Sequence, residues 1–398
     1  MKQYGFCLRL AIYILYRITL ISHINVLMVL GKSSNKTIIK NIQEKKLSMK
    51  EPEIILESWS PCCDVQALVE KSESCYYFYL WYHPGKDNMY IKSCWIGNTC
   101  PAPEELDKET MEKGAAPAMP RKWISHNVNG IQLNPETLTV EWFEEGDGAA
   151  LMDKDDILCV IPGWGGQEDF SGYAQYIVGV TPFAWELTNA KETLEERIHK
   201  SHQFWDYLDG DFWRDVQQMH LKVLEAYFGT FEKYYGIDGG NFPPKALITG
   251  QKGNICYGIT AGVSVLPMPL VEQYFQEAAH DFRRMELGFA ATEKWKDICP
   301  KMYSFLSSIA CLPWKEISFL GHGHTIPCNV IEGYSAIWLL NARCMKELSS
   351  PIYPQFKGDK INLLWAVPVK QDVYETIMEN GTDEMLKRMD VMNIHIFN

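Results

Sequence analysis

Several familiar signatures are missing from this chain, and each absence removes a class of function. There is no C-x-x-C pair, so neither a zinc ribbon nor a thioredoxin-type redox motif is present. There is no G-x-x-x-x-G-K-[ST] segment and no G-x-G-x-x-G between a strand and a helix, which removes the P-loop and the dinucleotide fingerprint. H-E-x-x-H is absent too. Asp153-Lys154-Asp155-Asp156 lacks the glycine and the terminal glutamate of a calcium loop. No internal repeat is visible. Basic residues are in the minority, 38 against 50 acidic, for a net charge of −12. That is the wrong sign for gripping a phosphate backbone, so nucleic acid is not an expected partner.

What is present is apolar mass. The chain has 398 residues, 46% of them hydrophobic and 13% aromatic, enough for two or three cores and too much for a disordered chain. Twelve cysteines are scattered without a framework, as expected of buried free thiols in a reducing cytosol.

The charge is unevenly spread. Residues 1–48 carry eight basic side chains and only Glu44, a net of +7, leaving −19 for residues 49–398. The apolar part of this leader is broken by Arg9 and Arg17, and its longest uncharged run, Ile18 to Gly31, is shorter than the ~20 residues a membrane helix needs. A membrane anchor or an uncleaved signal would have to use this segment. The expectation is a basic apolar leader outside the fold, with the folded protein starting near Met49. No other part of the chain suggests a membrane.

The residues from 49 to 185 read as a β-rich domain. Tyr76–Trp81 and Met89–Ile96 predict a hairpin around Pro84-Gly85, Pro101–Pro120 a surface loop, Val128–Phe143 two short strands, and Ile157–Ile161 a buried strand. Helical spacing follows over Ala190–Leu208. From Phe212, Val216, Met219, Val223, Leu224, Tyr227 and Phe231 share one face, with Gly236 as the stop. Further on, strands are predicted at 245–248, 255–266, 316–320, 334–340 and 361–369. Helices are predicted after Pro267, over 301–311, and either side of Gly381. Strands and helices without a βαβα rhythm predict an α+β fold in two lobes, with mixed or antiparallel sheets flanked by helices and a second domain over 186–398.

Four constellations were weighed for chemistry. His322 and His324, at i and i+2 within Gly321-His322-Gly323-His324-Thr325, could face one metal with Cys328 or His280 as a further ligand. This is the basis of the alternative function, a metal-dependent enzyme; the competing reading is a glycine-flanked turn. Glu196/His199 and Glu277/His280 are Glu-x-x-His pairs, half of a di-iron set, but a Gly/Pro-rich strand region separates them. Gly262-Val263-Ser264 resembles the start of a nucleophile elbow, yet position 266 is Leu. No catalytic set, metal site or cofactor is therefore expected. The fourth feature is acidity. Ten carboxylates against Lys154 lie between Glu136 and Asp169, among them Glu144, Glu145, Asp147, Asp153, Asp155 and Asp156. These six are the candidate docking surface for a basic partner; the plain alternative is a solvated face.

Three stretches in order resemble the Suppressor of fused family. They are Tyr257–Ser264 with Pro267-Met268-Pro269 behind it, carrying Gly262 and Ser264; Arg283-Arg284-Met285-Glu286-Leu287; and Trp314–Leu320 leading into Gly321, His322, Gly323, His324 and Thr325. A weaker match follows at Ile361–Val369 and Glu379–Asp383. The resemblance implies a non-enzymatic, cytoplasmic protein-binding module. Animal members of the family sequester a transcription factor. Bacterial relatives are proposed as immunity proteins that neutralise toxins. The expected partner is accordingly a protein, plausibly a basic toxin domain. The family assigns no catalytic residue, so none is carried over.

Overall fold

The fold is described from a computed structural model, for residues 52–398 apart from 113, 126, 346 and 347. The leader expected at 1–48 lies outside the described residues. The chain divides into two compact units. The first holds the described residues up to Phe143 together with Gly148–His199; the second holds Glu144–Asp147 and Lys200–Asn398.

The first unit carries two antiparallel-rich sheets. Strands β1 (Glu53–Trp59), β2 (Val65–Lys71), β3 (Cys75–Tyr82) and β4 (Tyr90–Asn98) form a meander in chain order. The aromatic run of β3 is almost wholly buried, which is why it forms a central strand. The following loop contains the short helix α1 (Lys108–Glu112). It is pinned by Asn98, whose amide donates to Met119 O at 2.9 Å and accepts from Met119 N at 2.7 Å. A second sheet joins β5 (Leu138–Trp142), β6 (Ala149–Asp153), β7 (Asp156–Ile161), β8 (Tyr173–Ala174) and β9 (Trp185–Glu186). Phe143, Ala150, Ile157, Val160 and Leu194 pack into one core. Only one of the two strands expected over Val128–Phe143 exists. Asn134 instead accepts from Glu136 N and caps a short 3-10 turn ahead of β5.

Two long helices follow, α2 (Lys191–Asp209) and α3 (Phe212–Phe228). The stop of α3 is Gly229 at φ 90°, not Gly236. Lys233–Gly236 is instead β10, the terminal strand of the largest sheet.

That sheet belongs to the second unit. Its spatial order is β10, β11 (Ala246–Lys252), β12 (Ile255–Ala261), β13 (Arg284–Thr292), β16 (Ile361–Val369), β15 (Ala336–Asn341) and β14 (Thr325–Pro327). All neighbours are antiparallel except β13 and β16, which run parallel. Further along β13, β17 (Ile396–Phe397) pairs in parallel with Ala290 and Ala291. Helices cover both faces. Phe228 of α3 stacks on Tyr257 with ring centroids 3.9 Å apart. On the other face lies α5 (Cys299–Ile309), whose Tyr303 sits where a Cβ on Gly258 would be, 2.3 Å from that position. Between β12 and β13 the chain forms only a short helix, α4 (Val271–Phe275), continued by a 3-10 turn, rather than the longer helix expected after Pro267. The strand expected at 316–320 is absent: α6 (Leu312–Glu316) ends there, with Ile317 left-handed at φ 49°. Helices α7 (Gln371–Asn380) and α8 (Thr382–Leu386) meet at Gly381, as the sequence predicts. The α+β class follows directly from this architecture.

Candidate functional site

The side chains that carry the family resemblance converge at the start of β13. Residues two apart on a strand point to the same face, so Arg284 and Glu286 project together. Both are fully buried, and both reach the tight turn Gly262–Val265. Gly262 is left-handed at φ 93°, and a Cβ there would lie 2.6 Å from the Trp213 ring and 2.8 Å from Pro244 O, so only glycine fits.

Glu286 collects the turn's donors. Its Oε1 accepts from Gly262 N at 3.0 Å, Ser264 N at 3.0 Å and Ser264 Oγ at 2.7 Å; its Oε2 accepts from Thr260 Oγ1 at 2.7 Å. Arg284 satisfies the turn's acceptors, donating from Nη1 to Ser264 O and Val265 O. Four hydrogen bonds thus converge on one buried carboxyl group. Thr260 also accepts from Leu287 N at 2.8 Å, continuing the β12–β13 ladder through a side chain.

A second group of charges lies on the arginines. Asp359 Oδ2 accepts from Arg284 Nε at 2.6 Å and Arg283 Nε at 2.9 Å. Arg283 Nη1 also donates to Glu145 Oε1 at 2.7 Å, and Arg284 Nη2 lies 3.4 Å from Glu144 Oε2. Asp147 Oδ2 accepts from Leu270 N at 3.2 Å. The acidic docking surface expected at Glu144, Glu145 and Asp147 is therefore corrected. Glu145 and Asp147 are each only 3% exposed, and Glu144 is largely buried and ion-paired. Burial beside Glu145 pushes the Glu144 carboxyl up despite the arginines. The other three candidates differ: Asp155 and Asp156 are exposed, and Asp153 is half-buried and accepts from Thr137 Oγ1 at 2.6 Å.

His220 stands beside this cradle, which the sequence did not single out. Its Nε2 is 3.4 Å from Ser264 Oγ and 3.5 Å from Glu286 Oε1. Serine, histidine and glutamate thus meet, but not as a relay. The acid and the serine share the same ring nitrogen, the serine proton already goes to the glutamate, and all three residues are at most 1% exposed. A nucleophile needs a base oriented by a third group and access to substrate. Neither condition is met, and the nucleophile-elbow reading fails.

The His322/His324 pair also has another role. His322 Nδ1 accepts from Asn341 N at 3.1 Å, which leaves the proton on Nε2. Gly323 N donates to Leu339 O at 2.8 Å, and Thr382 Oγ1 donates to Gly323 O at 3.1 Å. His324 packs on Phe319, and Thr325 opens β14. This is the glycine-flanked turn, tying β15 to α8. Desolvation lowers the pKa of both histidines. Among the described residues no group of three His, Cys, Asp or Glu side chains could hold a metal, and neither Cys328 nor His280 joins the two histidines in one. His280 bonds instead to Glu277 O at 3.0 Å within a 3-10 turn, which removes the helical spacing a carboxylate bundle requires.

The motif side chains of this mixed sheet bind one another. The family model described as Suppressor of fused protein (SUFU) matches residues 246–398, from the first residue of β11 onward. This part of the chain is similar to the Suppressor of fused domain, a protein-interaction module in general. No curated protein matches the chain. Among the described residues no helix is long and apolar enough to cross a membrane.

Proposed function

We propose that this chain is a non-enzymatic, cytoplasmic protein-binding module, and specifically an immunity protein that neutralises a bacterial toxin effector by direct contact. The observation that carries the reading is the Ser264–Glu286 hydrogen bond. The residues with the greatest chemical potential in the Suppressor of fused domain are consumed in holding a turn, so what the domain offers a partner is its surface. Exposed carboxylates at Asp155, Asp156, Glu168 and Asp169 suit a basic toxin domain, since opposite charge raises the association rate.

The test is co-purification with the product of the neighbouring gene, followed by a toxicity assay with and without this chain. Stoichiometric binding and loss of toxicity are expected. A toxin inactivated without forming a complex would overturn the reading.

A further inference from the structure

On the α5 side of the large sheet, Leu247, Thr249 and Gln251 of β11 lie directly opposite Thr260, Gly258 and Cys256 of β12, and so share one face. Helix α5 packs on that face over β12 and β13, with Tyr303 pressed against Gly258. Among the described residues, α5 does not extend in the same way over β10 and β11. The result is a cleft of about 360 Å3 between α5 and the two end strands, within the size range of small-ligand sites.

Its two ends differ in chemistry. The floor is the buried and half-buried lining of Leu247, Ile237, Cys256, Cys299 and the Tyr303 ring, with the uncharged polar side chains of Thr249 and Gln251 among them. Burial pushes the Cys299 thiol up to about 11 and the Tyr303 hydroxyl well above its ordinary value, so the floor is uncharged at neutral pH. The rim carries Lys233 and Lys296 against Glu232, with the Ser304 and Ser307 hydroxyls alongside. Both lysines are exposed, and neither has an ion-pair partner among the described residues. An uncharged floor below two uncommitted cations is complementary to a ligand with an apolar body and one anionic end.

We propose that this cleft binds a small amphipathic carboxylate, its chain on Tyr303 and Leu247 and its carboxylate between Lys233 and Lys296. The site is separate from the protein-contact reading and stands or falls without it.

The test is calorimetric titration of the full chain with octanoate, 1-octanol and octylammonium, which share a chain and differ in the charge of the head. Octanoate is expected to bind best, with affinity falling as salt is raised. A Lys233→Gln, Lys296→Gln double variant, altered only at exposed positions, should weaken octanoate by about tenfold or more and leave octanol unchanged. Ser304→Trp, which fills the mouth from an exposed position, should abolish binding of both. The proposal is overturned if octanoate does not bind, if octanol or octylammonium binds as tightly, or if the double variant retains full octanoate affinity.

Discussion

Ser264 gives its hydroxyl proton to Glu286 across 2.7 Å, and both residues are all but sealed from solvent. The strand supplies the charge and the turn supplies the donors, so each fixes the other. Ser264→Ala removes one of the hydrogen bonds to the buried carboxyl group and is expected to lower unfolding free energy by about 1 kcal/mol or more. Glu286→Gln places an amide among groups that all donate to it, and should cost about 3 kcal/mol or more. Urea denaturation of the three proteins checks this; equal stability of Glu286→Gln and wild type would refute the carboxylate's structural role.

Two positive-φ glycines should respond differently to one added methyl group. Gly381, at φ 83° and ψ 165°, has open space where a Cβ would go, so Gly381→Ala costs backbone strain alone, about 1–3 kcal/mol. Gly262→Ala adds a collision with Trp213 and the Pro244 carbonyl to its backbone strain, and should cost more, by about 1–3 kcal/mol. Thermal melting of the pair would show whether the turn is as closely packed as described.

Acid should destabilise the protein before most carboxylates titrate. Burial holds His395 down to about 4, and it lowers His220 as well. The unfolded chain binds these protons at about pH 6.5 and the folded one only lower. Their contribution is therefore complete above 6.5 and is lost as pH falls from 6.5 towards 4. Glu144, whose pKa is raised, works in the opposite direction, since its folded form takes up a proton first. The expected measurement is a downward slope of unfolding free energy between pH 6.5 and 5, flattened in His395→Phe. A slope unchanged by that substitution would assign the loss elsewhere.

Charge reversal should separate the two kinds of acidic residue. Glu145→Lys puts a cation against Arg283 in a buried site and should unfold or strongly destabilise the chain. Asp155→Lys with Asp156→Lys should leave the melting temperature within a degree or two while slowing association with a basic partner. If binding and its salt dependence are unchanged in the exposed pair, those carboxylates are not part of the docking surface.

Much of this fold could be read from the sequence where local pattern and packing agree. β3 is recognisable by its aromatic run, β16 by continuous apolarity, and α7 and α8 by the glycine between them. β13 was not legible. Its Arg-Met-Glu-Leu-Gly-Phe-Ala-Ala stretch has no alternation, because a central strand buried on both faces has none. The acidic run misled for a related reason. Charge counting cannot tell a carboxylate facing water from one facing Arg283, 138 residues away. The motif residues Gly262, Ser264 and Glu286 were picked out by resemblance, but nothing in their spacing indicated that they bond to one another. His220, a helix residue facing the core, gave no signal.

The parallel seam between β13 and β16 has a consequence for how the domain is made. It joins two antiparallel meanders, β10 to β13 and β14 to β16, whose pairings are otherwise between chain neighbours. Each half can therefore form early, but the join must wait for Ile361 to reach Arg284, across a wide gap in the sequence. Until then both halves present an open central strand. Two nascent chains held close together could exchange halves through identical contacts, giving an intertwined pair with no new interface. Refolding yield is accordingly expected to fall as protein concentration rises, with intertwined pairs appearing on size-exclusion chromatography.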